Sequence, residues 1–243
     1  MTQAQDEAHV CGMLPEHHDV KFVAQHQAAY AFAARVAAGK RVLEIGFGEG
    51  YGADLLAQTA ASVTAIDTAP GNIPRAQAKY QRPNLRFLHM PGQRMDFPDG
   101  AFEVAGSFQV IEHIPEAQLL PHLREVARVL APGGCYCLST LNLAHAMKPG
   151  QPYQKLIYHE KEFTGPELRA LLAQAFPRVE LSGLYLSPRH RLFQRLKKWG
   201  LDRWGPAALN PVARLYRCVT VEDLVVKSAV SNAALDLFAV AWK

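Results

Sequence analysis

Three groups of residues in this sequence have the types and spacing to do chemistry. The first is Glu44-Ile-Gly46-Phe-Gly48-Glu-Gly50, followed 21 residues after Gly46 by Asp67. Glycines just past a buried strand let the backbone turn sharply and approach a ligand without Cβ clashes. The helix after such a turn offers free N–H groups to a carboxylate or phosphate, and an acid closing the next strand can accept both hydroxyls of a ribose. The second group is Glu112-His113, and the third is His159 with Glu160 and Glu162. A histidine near its neutral pKa beside a carboxylate can take a proton from an acceptor hydroxyl.

Two ligands compete for the glycine turn. Gly48-Glu-Gly50-Tyr-Gly-Ala53 matches the dinucleotide pattern GxGxxA, which would suit NAD(P). In that pattern the first glycine follows the strand directly, and here Gly46 holds that position. Glu44, two residues before it, suits a cationic α-amino group and offers a pyrophosphate nothing. S-adenosylmethionine combines that amino group with a sulfonium, a ribose diol and an adenine.

The elements that must position these residues alternate along the chain. Residues 15–38 form an Ala-rich helical lead, with Phe22, His26, Tyr30 and Ala33 at helical spacing, and Gly39-Lys40 stops it. Residues 41–45 read as a buried strand, a helix runs through Ala60, and 62–67 is a second strand. A helix over 72–80, a strand over 85–90, a Pro/Gly/Asp loop over 91–100 and a strand over 102–110 continue the series. A helix over 116–130, a Pro132-Gly-Gly134 turn and a strand over 135–140 complete it. This pitch implies βαβ crossovers and a parallel sheet covered on both faces. Residues 141–163 read as a loop insertion, and Thr164-Gly-Pro-Glu167 has capping-box spacing at a helix start. Strands are expected over 179–186 and 235–242, with a basic insertion between them.

Composition sets the bounds. A chain of 243 residues, 49% hydrophobic and 20% charged, can bury a sizeable core without disulfide or metal staples and is neither disordered nor fibrous. It holds no apolar run of about 18 residues, and its N-terminus does not read as a secretory signal. Cys11, Cys135, Cys137 and Cys218 lack disulfide spacing. Cys135 and Cys137 would share one face of a strand as small buried residues, which fits reduced thiols in a cytoplasmic protein. The net charge of +4 divides unevenly: residues 189–217 carry +7 and the rest −3. The charge is local, so no general affinity for nucleic acid is expected.

With these motifs in place the sequence resembles the class I S-adenosylmethionine-dependent methyltransferases, in their methyltransferase-11-like branch. Val42-Leu-Glu-Ile-Gly-Phe-Gly-Glu-Gly50 is similar to the family's first motif and Ala65-Ile-Asp67 to its second. Met95-Asp-Phe-Pro-Asp-Gly-Ala-Phe-Glu103 resembles the segment leading into strand four, and Val110-Ile-Glu-His-Ile114 the stretch after it. Arg128-Val-Leu-Ala-Pro-Gly-Gly134 resembles the turn before strand five, Leu138-Ser-Thr-Leu-Asn142 the segment after it, and Tyr158-His-Glu-Lys-Glu-Phe-Thr164 a stretch found in bacterial relatives.

The resemblance implies an α/β, doubly wound Rossmann-like fold. Its seven-stranded sheet would be mostly parallel with an antiparallel last strand, helices on both faces, and the cofactor across the strand ends. It implies the methionine end on Gly46, Phe47, Gly48 and Gly50, the ribose on Asp67, and the adenine between Thr68 and the loop Gly92-Gln93-Arg94-Met95. Glu44, Tyr51 and Gln109 complete the expected contacts, and His26 and Tyr30 would close over the cofactor as part of the lead helix or simply pack on the sheet. One position departs from the pattern. Relatives often carry an Asp after strand three for the adenine amino group, and here Pro91 stands there, leaving Gln93 or the 92–94 backbone to substitute.

For the chemistry, His113 is the candidate general base or acceptor clamp, against the alternative of a loop-capping histidine. Glu112 orients it, helps bind a divalent ion, or simply caps. His159 belongs to an insertion that borders the acceptor pocket. Metal binding there is an alternative, but His-Glu-Lys-Glu does not place ligands on one helical face in the H-E-x-x-H manner, so an acceptor-site or lid role is favoured and no metal is assigned. The whole chain reads as one domain: a helical lid over 1–39, a cofactor-binding core over 40–187, a basic amphipathic insertion over 188–217 and a C-terminal strand region over 218–243. Within the insertion, Leu192, Leu196 and Trp199 form a stripe among Arg and Lys, either lying on anionic lipid through 189–204 or packed on the domain. The expected activity is methyl transfer from S-adenosyl-L-methionine, with S-adenosyl-L-homocysteine as product, to a small-molecule, saccharide or lipid-linked acceptor such as a glycolipid. The alternatives are an NAD(P)-dependent oxidoreductase and a non-catalytic cofactor-binding regulator.

Overall fold

The computed structural model describes residues 19–147, 150, 152–206, 209–217 and 219–243. Cys11, Cys218 and the first 18 residues of the expected lid lie outside the described residues. In chain order the elements are α1 (Val20–Ala37), β1 (Arg41–Ile45), α2 (Tyr51–Ala57), β2 (Ser62–Asp67), α3 (Asn72–Lys79), β3 (Leu85–His89) and β4 (Phe102–Phe108). Then come α4 (Glu116–Val129), β5 (Leu130–Leu141), α5 (Leu143–Ala146), α6 (Gly165–Leu172), β6 (Arg178–Leu186), α7 (Pro188–Lys198), α8 (Pro211–Arg217), β7 (Leu224–Lys227) and β8 (Asp236–Trp242).

The strands form one eight-stranded sheet in the order β3-β2-β1-β4-β5-β8-β6-β7. β1 to β5 run parallel, and β8 enters antiparallel between β5 and β6. β6 therefore points the same way as β5, so every parallel strand delivers its carboxyl end to one edge. The expected antiparallel last strand is present. The count is eight rather than seven, because the four residues of β7 pair antiparallel with Gly183–Leu186 at the sheet edge. So short an edge strand needs only one partner and no alternating pattern, and Leu-Val-Val-Lys shows none.

Residues alternate between two cores. Val42, Val63, Ala65 and Val104 face the layer of α1 and α2, while Leu43, Ile45 and Ile66 face α4 and α6. A buried stripe of Ala24, Ala28, Ala33 and Ala37 lets α1 lie close against the sheet. On the opposite layer, Leu43, Leu123 and Leu138 are essentially without solvent contact, and each such side chain contributes roughly 1.5–3 kcal/mol. Cys135 and Cys137 sit on one face of β5 as buried free thiols.

Boundaries shift where backbone bonding overrides pattern. α2 stops at Ala57, and the 58–60 turn is tied to the end of α1 by the bond from the Gly39 amide to the Thr59 carbonyl. β5 starts at Leu130 rather than Cys135: Leu130 pairs with Phe102, the Pro132-Gly-Gly134 segment bulges, and pairing resumes at Cys135 with Val104. The 141–163 insertion holds the single-turn α5 and a parallel bridge from Asn142 to Phe163. The capping box at α6 forms as spaced, with Thr164 and Glu167 each accepting from the other's backbone amide.

Candidate functional site

At the carboxyl edge β1 ends in a turn that only glycine can make. Gly46 has φ +77°, and its amide donates to the Ile66 carbonyl at 2.8 Å, stitching the turn to β2. A Cβ at Gly46 would come within 2.6 Å of Val110, and one at Gly50 (φ +85°) within 2.9 Å of Ala76. The Asp67 carboxylate accepts from the Gly48 amide through Oδ2 and from the Ala69 amide through Oδ1, both at 2.8 Å. These charge-assisted bonds aim the acid and brace the glycine turn together. Beside it opens a crevice of about 140 Å³ lined by Gly46, Asp67, Thr68, Gly92, Gln93 and His113, among others. A larger, more open hollow of about 500 Å³ lies at the amino ends of the strands, between Arg41, Asn84 and Phe97. Without the glycine turn or Asp67 it offers no comparable ligand chemistry, so the smaller crevice is the candidate site.

Glu44 points to the α1 side of β1. Its Oε1 accepts from the Tyr30 hydroxyl at 2.7 Å, while Oε2 is buried with no protein partner. Burial pushes this carboxyl up to about 8; the Tyr30 bond offsets part of the rise and Asp67 adds to it. Tyr30 sits against Gly52, where a Cβ would overlap its ring, and packs on Tyr51 and Phe108. The lead helix thus clamps the glycine turn from behind rather than closing over the crevice, and His26, one turn earlier, packs on Phe22.

The far wall carries the histidines. A short 3₁₀ turn over Ile111–His113 follows β4, and Gln109 just before it adopts φ +57°, the one positive φ among described residues other than glycine. Such a conformation is costly for a side-chain-bearing residue. The cost is offset by bonds to β5, from its amide to the Ser139 carbonyl (2.9 Å) and from its side chain to the Ser139 hydroxyl (3.3 Å). His113 donates from Nδ1 to the Tyr158 carbonyl at 2.8 Å, which leaves its Nε2 lone pair available. His159 stands edge-on, with ring centroids 4.9 Å apart, and its Nδ1 is 2.7 Å from Glu162 Oε1. Burial, with His113 and Lys155 nearby, lowers His159 to about 4, so it is neutral at pH 7. Glu112 is wholly buried and neither carboxyl oxygen has a hydrogen-bond partner. Burial raises it to about 8; its own backbone amide and the Thr140 hydroxyl stand near enough to offset part of the rise but outside hydrogen-bond geometry.

A family model described as a methyltransferase domain matches residues 43–138. A ubiquinone biosynthesis O-methyltransferase from Xanthomonas oryzae is 32% identical over 65% of this chain and 72% of its own length. The chain belongs to the S-adenosylmethionine-dependent methyltransferases. A probable methyltransferase of that family from Mycolicibacterium smegmatis is 36% identical over 64% of this chain, which spans about three fifths (59%) of that relative's length. In fold, the chain is similar to a methyltransferase from Thermotoga maritima, with a TM-score of 0.62 at 13% identity over 90% and 89% of the two chains.

Within this methyltransferase fold, Gly46, Asp67, Thr68, Gly92, Gln93 and His113 come together at one crevice. Gly48 joins them through its bond to Asp67, and Glu112 and His159 lie next to His113. Other expected contacts lie apart from the crevice lining. Phe47 is buried against Phe87, and Tyr51 is buried on α2 with its hydroxyl unpartnered. Arg94 is exposed. Met95 turns into the core, its amide bonded to Glu125 and its carbonyl to Arg128. Pattern reasoning missed His122. On α4, it donates from Nδ1 to the Gly92 carbonyl at 2.9 Å and lines the crevice, and burial holds it down at about 4, hence neutral. Its only mark in the sequence is a histidine on the apolar side of an amphipathic helix, which reads as packing.

Proposed function

We propose that this methyltransferase uses S-adenosylmethionine to methylate a small-molecule, saccharide or lipid-linked acceptor. The observation that carries the reading is the crevice itself, whose lining joins a glycine turn braced by Asp67 to His113 of the Glu112–His113–His159 cluster. The residues fit the cofactor. Gly46 leaves room where any Cβ would clash, Asp67 retains lone pairs for ribose hydroxyls, and Glu44 holds an unpartnered carboxyl oxygen behind the turn. When bound, the cofactor supplies an electrophilic methyl group.

The chain's own part is to orient and desolvate. Asp67 grips the sugar, the Gly92-Gln93 backbone, steadied by His122, borders the adenine, and His113 handles the acceptor's oxygen with its free Nε2. The dinucleotide alternative is disfavoured by the turn, since Gly46 rather than Gly48 takes the strand-end position and bonds to β2. Tritiated cofactor offered to a broad acceptor library tests the activity: label should move to at least one hydroxyl-bearing acceptor. Cofactor binding without transfer to any member would favour the regulator reading instead.

The acceptor's class is suggested by the insertions. Those following β5 and β6 both leave from the crevice edge, and both expose apolar side chains. Ile157 and Tyr158 are 88% and 71% exposed beside His159, and Trp199 and Trp204 are 74% and 82% exposed. α7 docks through Phe193 and His190, so Leu192 and Trp199 of the expected stripe face outward among Arg191, Arg195 and Lys198. This arrangement suits peripheral contact with anionic lipid and a lipid-linked acceptor. Sedimentation with acidic liposomes should show binding that fades with salt; binding indifferent to lipid charge would end that part of the reading.

A further inference from the structure

We propose that Glu112, His113 and His159 form a binding site for one divalent transition-metal cation at the acceptor end of the crevice. One donor atom from each residue lies within 4.8 Å of the others, and no other such group of three is present among the described residues. Bonds of about 2.0–2.2 Å at tetrahedral angles put the ligands of one ion roughly 3.3–3.6 Å apart, so closing this cluster takes side-chain shifts of about an ångström.

Four further features point to an ion. First, Glu112 is fully buried, and neither carboxyl oxygen makes a hydrogen bond of good geometry, the Thr140 hydroxyl and its own amide being near but misaligned. Such a group is costly unless something outside the protein's own donors satisfies it. Second, each imidazole has its other nitrogen held: His113 Nδ1 by the Tyr158 carbonyl at 2.8 Å, and His159 Nδ1 by Glu162 at 2.7 Å. Metal-bound histidines are typically fixed in this way, by a carbonyl or a carboxylate on the far nitrogen. Both rings are left with Nε2 as the donor atom.

Third, the two segments are tied by backbone. The Glu160 and Lys161 amides both donate to the Glu112 carbonyl, at 2.7 and 3.1 Å, so the ligands come together without side-chain search. Fourth, the donor set has a preference. Two imidazoles and one carboxylate suit Mn²⁺, Fe²⁺, Co²⁺ or Zn²⁺ better than Mg²⁺ or Ca²⁺, which favour oxygen. Three protein ligands leave coordination positions open, as catalytic sites do. His113 lines the crevice, so an open position faces the space where an acceptor would stand. There an acceptor oxygen can bind the ion, which then replaces the direct contact to His113 Nε2, and be held in line for the methyl group. That purpose rests on the methyl-transfer reading; the binding of the ion does not.

Chelator-stripped full-length protein titrated with Mn²⁺ and followed by electron paramagnetic resonance tests the site. The expected result is one ion per chain, with pulsed spectra showing nitrogen couplings from coordinated imidazole. Glu112→Gln and His159→Asn should each weaken Mn²⁺ binding at least tenfold, and Glu162→Gln, which acts through His159, by about 10- to 100-fold. The proposal is overturned if the stripped wild type takes up no stoichiometric Mn²⁺ or Zn²⁺. Bound Mn²⁺ without nitrogen couplings, or folded variants that bind as the wild type does, would overturn it as well. Should the variants fail to fold, the wild-type spectrum decides. Calorimetry with S-adenosylhomocysteine on the same sample separates the two readings, since ion binding without cofactor binding would sink the methyltransferase activity and leave this site standing.

Discussion

Replacing Glu44 by glutamine should change how stability depends on pH, by an amount that follows from its surroundings. The carboxyl is buried behind the glycine turn and is raised from 4.5 to about 8 on folding, chiefly by burial. A carboxyl raised in this way binds its proton more tightly folded than unfolded. Its contribution to stability is therefore complete below pH 4.5 and is lost as pH rises toward 8. At roughly 1.4 kcal/mol per pH unit the ceiling across that window is about 5 kcal/mol. Relaxation of the interior reduces the expectation to about 2–4 kcal/mol. Glutamine keeps an acceptor for the Tyr30 hydroxyl and cannot ionise. Glu112 and Asp236 are also raised by burial, to about 8 and about 7, but both are present in either protein and cancel in the difference. Urea unfolding of the two proteins at pH 5, 6, 7 and 8 is the assay. Relative to wild type, Glu44→Gln should gain stability steadily between pH 5 and 8. Two curves that stay parallel would refute the buried, proton-holding role of Glu44.

Other consequences are smaller or more local. Gly46→Ala places a Cβ against Val110 at a positive φ, and should lower stability by about 2–4 kcal/mol and abolish detectable cofactor binding in calorimetry. Full affinity in that variant would mean the turn does not cradle the ligand. His122→Leu leaves the buried Gly92 carbonyl without its donor and should weaken S-adenosylhomocysteine binding by about 1 kcal/mol, or roughly fivefold. Unchanged affinity there would remove the Gly92-Gln93 loop from the cofactor site.

What could be read in advance depended on how local the cause was. β1 and β2 appear at the predicted residues because strands buried on both faces must be largely apolar, with Glu44, Thr64 and Asp67 as the buried exceptions. The glycine turn and Asp67 were legible because close backbone approach and sugar binding demand particular residue types next to particular strands. Tyr30 was legible as a helix-face residue, but its partner was not: only the packing of α1 on Gly52 brings its hydroxyl to Glu44. The Glu112-His113 and His159 groups read as two separate clusters because 46 residues separate the histidines in sequence. Backbone bonds from the 156–162 loop to the 3₁₀ turn, which leave no residue-type signature, make them one. The positive φ of Gln109 and the role of His122 are likewise tertiary effects. β7 escaped notice because four residues on a sheet edge carry no period.

The central claim is that the carboxyl-edge crevice holds S-adenosylmethionine with Asp67 on its sugar. Isothermal titration of S-adenosylhomocysteine into wild-type and Asp67→Ala protein, both checked by thermal melts, tests it most directly. One molecule should bind per wild-type chain, and the substitution should cost about 1–3 kcal/mol, or roughly 5- to 150-fold in affinity. Equal affinity in the two folded proteins, or binding of NAD with no response to S-adenosylhomocysteine, would contradict it.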